Sequence, residues 1–375
     1  MKIGIITHFY NSTNYGGVLQ AYALCRHLNN RGHEASQILY TNKNAKISAS
    51  SMTLKTFLNK VVNRVERKFY RKRDLQIKRG RENAFFEFRN GVPHTKAVYT
   101  GNTIDQVKTE FDAFITGSDQ VWNPIWHDPA YFLNFADKSV ITLSYAASIG
   151  VGSLDDLQAD MFRKYLTTFD AISVREQRAA ELLSPLTRNP VCVSVDPTLL
   201  LNADEWDEIA SERKIEEPYV FLYALGNDMR IRKSAEKFAK RKSLKLVMIS
   251  DLMGTYRRED RKIRAHSLSD ATPNDFVSLI KYADYVFTDS FHACVFSLLY
   301  KREFFAFARS GGIKMESRIQ NLLETFGCRE RFCIEAESTN ADHLLSIKPI
   351  DYAEEPASFA EAKQRSINYL ESNLR

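Results

Sequence analysis

The chain has 375 residues, 44% of them hydrophobic, and a formal net charge of +6. This length suffices for two buried cores, and no run of roughly eighteen apolar residues is present for a helix to cross a membrane. Of the 52 Lys and Arg, twelve fall between Met52 and Arg89 against four Asp and Glu, leaving 40 basic against 42 acidic residues elsewhere; the basicity is one local device, and general nucleic-acid binding is not expected.

The opening Met-Lys-Ile-Gly-Ile-Ile-Thr is apolar over too short a stretch for a signal peptide and reads as a first strand, so a cytoplasmic location is expected. The five cysteines form no C-x-x-C and the eight histidines no H-E-x-x-H. Reduced structural thiols and no metal site are therefore expected.

Lys2 to Thr7 is a strand, and residues 8–17 form a polar loop ending in Gly16-Gly17. A helix from Val18 closes at Asn30-Arg31-Gly32, and Ala35 to Tyr40 returns as a second strand, making a βαβ unit. Paired glycines let backbone approach a ligand at a helix N-terminus or merely permit a tight turn. The pattern is not G-x-G-x-x-G, and no dinucleotide is inferred.

Between residues 41 and 100 the α/β rhythm is interrupted. Leu54, Phe57, Leu58, Val61, Val62, Val65 and Phe69 share one helical face among many Lys and Arg, which predicts a basic amphipathic helix. Such a stripe packs on its parent domain or lies on an anionic membrane surface.

Phe111 to Thr116 is a strand ending in Gly117-Ser118-Asp119-Gln120-Val121-Trp122-Asn123. Acid, amide and indole at one strand end suit a sugar, with Asp119 and Gln120 bonding hydroxyls and Trp122 stacking on the ring; a capped turn with Trp122 in the core is the alternative. Val140 to Ala146, Ala171 to Val174 and Val191 to Val195 are further strands. The second delivers Arg175 and Glu176 to its end, and the third ends at Asp196-Pro197, read as leaving toward a linker.

After residue 217 the pattern restarts with a strand at Tyr219 to Leu225, a helix at Asn227 to Lys242 and a strand at Leu244 to Ile249. A charged loop spans 251–266, and a helix spans Thr272 to Tyr282. Tyr285 to Thr288 then runs into Asp289 and Ser290, two good N-cap residues, and an apolar helical pattern begins at once with His292 in its first turn. Free N–H groups at such a helix start suit an anion; a plain cap with a hydrogen-bonded histidine is the other reading. Phe304 to Phe307 delivers Arg309, and a helix from Ile313 to Phe326 carries Lys314 and Arg318. A closing helix spans Ala357 to Leu374.

Four blocks together resemble the polysaccharide pyruvyl transferases: Asn14-x-Gly16-Gly17-x-x-Gln20, the G-S-D-Q-V-W-N of 117–123, S-V-R-E at 173–176 with D-P-T-L-L at 196–200, and T-D-S-F-H at 288–292 with the S-R-I near 317. The resemblance implies an α/β fold of two Rossmann-like domains facing a cleft, of glycosyltransferase-B kind. The N-terminal domain would span 1–200, with a helical insertion at about 50–90, and take the acceptor. The second would span 201–350 and take the donor, and residues 351–375 would form a helix crossing back. It implies transfer of pyruvate from phosphoenolpyruvate to two sugar hydroxyls as a cyclic ketal, with no cofactor and no metal.

Carried over by position, His292 is the acid/base or phosphate contact and Asp119 the base. Arg175, Ser290, Arg309, Lys314 and Arg318 would hold the donor, while Asn14, Gly16, Gly17, Gln20, Ser118, Gln120 and Trp122 would hold the acceptor. Some relatives have arginine where Ser290 stands, so the anion charge must come from the named arginines. Expected partners are phosphoenolpyruvate and a sugar acceptor, lipid-diphosphate-linked if the 52–89 basic segment docks on the inner membrane face, and soluble and nucleotide-linked if it does not. The alternatives are a glycosyltransferase using a nucleotide sugar, on the same fold, and a non-catalytic carbohydrate-binding relative.

Overall fold

The computed structural model describes residues 1–42, 74–254, 256–309, 316–334 and 340–375. The predicted basic helix at 54–69 and Lys314 lie outside the described residues.

The first sheet is parallel and runs β3-β2-β1-β4-β5, from β1 (Lys2–Ile6), β2 (Glu34–Tyr40), β3 (His94–Tyr99), β4 (Ala113–Thr116) and β5 (Ile141–Ser144). Register is set by Ile3 and Ile5 of β1, opposite Ala113 and Ile115 of β4. All four are fully buried, or nearly so, as expected of a sheet covered on both faces. β6 (Ile172–Val174) and β7 (Val191–Val193) pair in parallel and extend this sheet beyond β5 through the isolated bridges Leu143–Ala171 and Ala147–Val174.

The second sheet, also parallel, runs β10-β9-β8-β11-β12-β13. Its strands are β8 (Tyr219–Tyr223), β9 (Lys245–Ile249), β10 (His266–Leu268), β11 (Tyr285–Thr288), β12 (Glu303–Phe307) and β13 (Phe332–Cys333). In both sheets the strand order reverses beside the first strand, at β1/β4 and at β8/β11. Those reversals open the crevices in which α/β proteins bind ligands.

Helix α1 (Tyr15–Asn30) follows β1, with Asn14 as N-cap accepting from Gly17 N. It ends where Gly32 takes a left-handed φ of +84° that an L side chain rarely adopts. Residues 74–90 form α2, which touches both halves: Arg89 donates to Ser12 O at 2.5 Å, and Tyr256 N donates to Asp74. Tyr15, at the start of α1, stacks on Phe276 at 4.9 Å with rings 14° apart and donates from its hydroxyl to Ala271 O at 2.6 Å. Phe276 belongs to α7 (Pro273–Lys281) of the second half, so α1 is shared between the two cores.

The strands β3 and β10 are absent from the sequence reading. Both are edge strands, half exposed, in polar stretches whose apolar alternation is weak. Helices α3 (Asp156–Leu166) and α4 (Gln177–Leu183) cover the β5–β7 side, and α5 (Ala203–Asp207) and α6 (Met229–Lys242) follow in the chain. α8 (Phe291–Leu299) follows β11, α9 (Glu316–Thr325) follows β12, and α10 is Ala341–Ser346. The last helix, α11 (Ala357–Asn373), reaches the first sheet: Tyr369 donates to Ser144 O at 2.9 Å, and Ser366 Oγ accepts from Val195 N at 2.9 Å.

Candidate active site

The junction of β11 and α8 holds two carboxylate-centred arrangements. Asp289 accepts from Leu225 N at 2.6 Å and Gly226 N at 2.7 Å, tying the end of β8 to the end of β11. Arg309 lies 3.5 Å from the same carboxylate. Ser290 caps α8 by accepting from Ala293 N, and its side chain is buried with the junction.

His292, in the first turn of α8, is turned toward the first half. Its ring lies directly on Gly16 of α1, where an added Cβ would be 2.0 Å from Nδ1. Its Nε2 is 3.5 Å from Asp196 Oδ2. The N-termini of α1 and α8 therefore converge on one imidazole.

Asp196 is the centre of this arrangement, and its side chain has no exposure. It accepts from Thr198 N at 3.0 Å and Thr198 Oγ1 at 2.7 Å, from Arg175 Nη1 at 2.6 Å and from Ser118 Oγ at 3.3 Å. Burial alone would push its carboxyl up; His292, Arg175 and Thr198 outweigh burial and hold it far below the usual carboxylate range. Asp196 stands where the last strand of the first half leaves toward the second, as expected, and it also caps a one-turn helix at Pro197–Leu199 and faces the site, a role the sequence did not reveal.

Arg175 is fixed on four sides. Besides Asp196, its Nε donates to Glu176 Oε1 at 3.3 Å, Asp119 is 4.0 Å from Nη2, and the Phe291 ring of α8 covers the guanidinium at 4.8 Å. Burial opposes its charge, but Glu176, Asp196 and Asp119 hold it firmly cationic. Among the described residues Nη2 makes no hydrogen bond. Arg318 of α9 stands near enough that burial and the Arg175 charge pull it down to about 10.

Asp119 follows β4 in a left-handed conformation, φ 71°, a strained geometry for a non-glycine residue that is found at functional turns. Its carbonyl accepts from Val121 N and Ser148 N, which explains how the turn is held. Burial would raise its carboxyl, but Arg175, His8, His292 and Arg318 together lower it, so Asp119 and His292 belong to one electrostatic unit.

Three acceptor-side expectations are corrected. Trp122 is 1% exposed, stacked on Phe132 at 5.3 Å with rings 2° apart, and its Nε1 donates to Tyr131 O; no face is open to a sugar. Gln20, fully buried, donates to Thr7 Oγ1 and Gly17 O and braces the first loop. Ser118 is equally buried and bonded to Asp196. Asn14 serves as the α1 cap, while Gly17 donates to it. Gln120 is half-buried, its Oε1 accepting from Asn123 Nδ2.

Four contributors escaped the sequence reading as site residues: Asp196, Glu176, Phe291 and His8. Burial lowers the pKa of His8, just past β1, although Asp119 and Asp128 pull the other way. A signal for Asp196 existed in its Asx-type spacing to Thr198. Among the described residues no three of His, Cys, Asp or Glu stand close enough to hold a metal ion.

Two parallel sheets, each reversing its strand order beside its first strand and meeting at Gly16, Asp196 and His292, define a glycosyltransferase-B-type fold. Among solved structures, the UDP-GlcNAc 2-epimerase of Methanocaldococcus jannaschii matches with a TM-score of 0.56 at 10% identity, covering 99% of this chain and 100% of that one. The putative UDP-N-acetylglucosamine 2-epimerase of Listeria monocytogenes matches with a TM-score of 0.53 at 13% identity, covering 99% and 96%. At these identities the likeness is one of fold. The sequence model of the polysaccharide pyruvyl transferases matches residues 14–311, and the chain belongs to that family. No curated protein sequence matches it.

Proposed function

We propose that the protein moves the pyruvyl group of phosphoenolpyruvate onto two hydroxyls of one sugar in a surface polysaccharide precursor, forming a cyclic ketal and releasing phosphate. The observation that carries this reading is the His292–Asp196–Arg175 assembly, which sets an imidazole, a carboxylate and a charged guanidinium where the two halves meet.

The reaction needs a proton at the methylene carbon, charge compensation for carboxylate and phosphate, and a base for the attacking hydroxyl. In this reading His292, oriented by Asp196, delivers the proton that turns the methylene into a methyl group. The first hydroxyl adds to the neighbouring carbon and gives its proton to Asp119. Phosphate then departs with its bonding pair, and the second hydroxyl closes the ketal while its proton leaves with the phosphate. Arg175, Arg309 and Arg318 supply positive charge to the two anionic groups, and Phe291 holds the Arg175 plane in place.

The basic run from Met52 to Arg89 supports a lipid-linked acceptor handled at an anionic surface; co-sedimentation with anionic liposomes at low salt tests that extension. The main reading is tested by phosphate release from phosphoenolpyruvate with a saccharide acceptor. His292→Ala is expected to lower turnover by about 10²–10⁴-fold. Near-normal turnover in that variant overturns the role of His292, and no phosphate release by the unaltered protein with any diol-bearing sugar overturns the reaction.

A further inference from the structure

A cavity of about 1140 Å³ opens beside the His292–Asp196–Arg175 assembly. One wall is the outer edge of β7, the opposite wall is α9 and α11, and Arg175, Phe291 and Arg318 line it from the site side. Ligand pockets commonly measure roughly 300–1,000 Å³, whereas phosphoenolpyruvate has only about ten non-hydrogen atoms. The donor would occupy a small part of this space, next to the two guanidinium groups.

The remainder has the chemistry of a saccharide site. Asn321 of α9 and Asn368 of α11 bring amides to the lining, as does Asn189 just before β7, whose Nδ2 already donates to Phe169 O, while aromatic rings contribute apolar surface. Amides match hydroxyl pairs, and ring faces match the C–H face of a pyranose. The cavity also reaches the surface at β7, where Cys192 is exposed and Val193 is 37% exposed, so a chain of several sugars can extend outward. The loop 117–123, by contrast, has its indole buried in the core.

We infer that the acceptor saccharide lies in this cavity between β7, α9 and α11, with its reacting hydroxyls toward Arg175, and that α11 is an acceptor-reading element. The inference rests on the proposed pyruvyl transfer for the donor's identity alone. Ser366 and Tyr369 fix α11 against Val195 and Ser144, so the wall that carries Asn368 is held at a defined distance from β7.

The test uses saturation-transfer NMR with methyl β-D-galactopyranoside, methyl β-D-mannopyranoside and methyl N-acetyl-β-D-glucosaminide as probes. The unaltered protein is compared with Asn368→Trp and Asn321→Trp, which fill the cavity from different helices. Melting with and without phosphoenolpyruvate is followed in parallel and reports whether each variant folds. Transfer to at least one glycoside, lost in both variants while the donor-induced melting shift persists, is the expected result. Undiminished transfer in either folded variant, or no transfer to the unaltered protein, overturns the inference. A melting shift absent in all three proteins, with glycoside transfer still lost in the variants, removes the donor reading and leaves the cavity assignment standing.

Discussion

Gly16 and His292 touch across the junction of the two halves, so closely that a methyl group on Gly16 would stand 2.0 Å from His292 Nδ1. Gly16 has ordinary helical geometry, and the pressure for glycine here is space. Gly16→Ala must push the imidazole away from Asp196. Because an error of about 1 Å in a catalytic group can cost about a hundredfold in rate, this variant is expected to lose about that much phosphate-releasing activity with little change in melting temperature. Equal activity would show that His292 does not need its observed position.

Asp196 compensates a buried guanidinium. Removing its charge in Asp196→Asn leaves Arg175 with weaker compensation at a site of almost no exposure. Breaking a buried pair costs about 3–5 kcal/mol, a loss that urea unfolding would read directly. A loss below 1 kcal/mol, roughly that of an exposed pair, would mean that Glu176 and Asp119 suffice.

Stability is expected to fall with acid in two stages. His27, on the buried face of α1, is pulled down to about 4 by burial and by its neighbours Arg31 and Lys363. A depressed histidine costs nothing above its unfolded value of about 6.5, and its penalty grows as pH falls toward 4, reaching about 3 kcal/mol. Below about pH 4 the contribution of Asp196 begins to be lost, since its folded value lies beneath the unfolded one. His27→Gln should flatten the first stage and leave the second; chemical denaturation at pH 7, 5.5, 4.5 and 3 measures the difference.

Trp122 tests where the acceptor lies. Trp122→Ala removes a fully packed ring and is expected to destabilise by about 3–5 kcal/mol. Trp122→Phe should cost less and leave KM for the sugar acceptor unchanged, because no face of the indole is open. A large rise in acceptor KM in a stable Trp122→Phe protein would restore the loop to the acceptor site.

A donor assay separates pyruvyl transfer from nucleotide-sugar chemistry on the same fold. At about a hundred times its Kd a ligand adds about 2.7 kcal/mol of stability. Phosphoenolpyruvate is expected to raise the melting temperature, and UDP-GlcNAc is not. The reverse result would favour a glycosyltransferase.

The features legible in sequence were those with a local signature. Ser290 and His292 stand at a strand-to-helix switch, and Asp119 closes a run of β residues; such signals need only a few neighbouring positions. What stayed hidden depended on distant partners. Trp122 is as good a sugar platform as a core residue until Phe132 and Tyr131 are placed around it. Asp196 looked like the end of a domain because its proline was visible and its partners Arg175, Ser118 and His292 were not. Glycine at 16 was legible as close approach, although what approaches is another part of the protein.

Tyr15 adds a mechanical consequence. Its ring is sandwiched between Phe276 and the Arg81 guanidinium, 4.8 Å from the ring centre, and its hydroxyl is bonded across the junction. Any motion that parts the two halves must draw that ring out of its stack. The residue next to Gly16 is therefore a tie between the two halves, made by one ring and one hydroxyl.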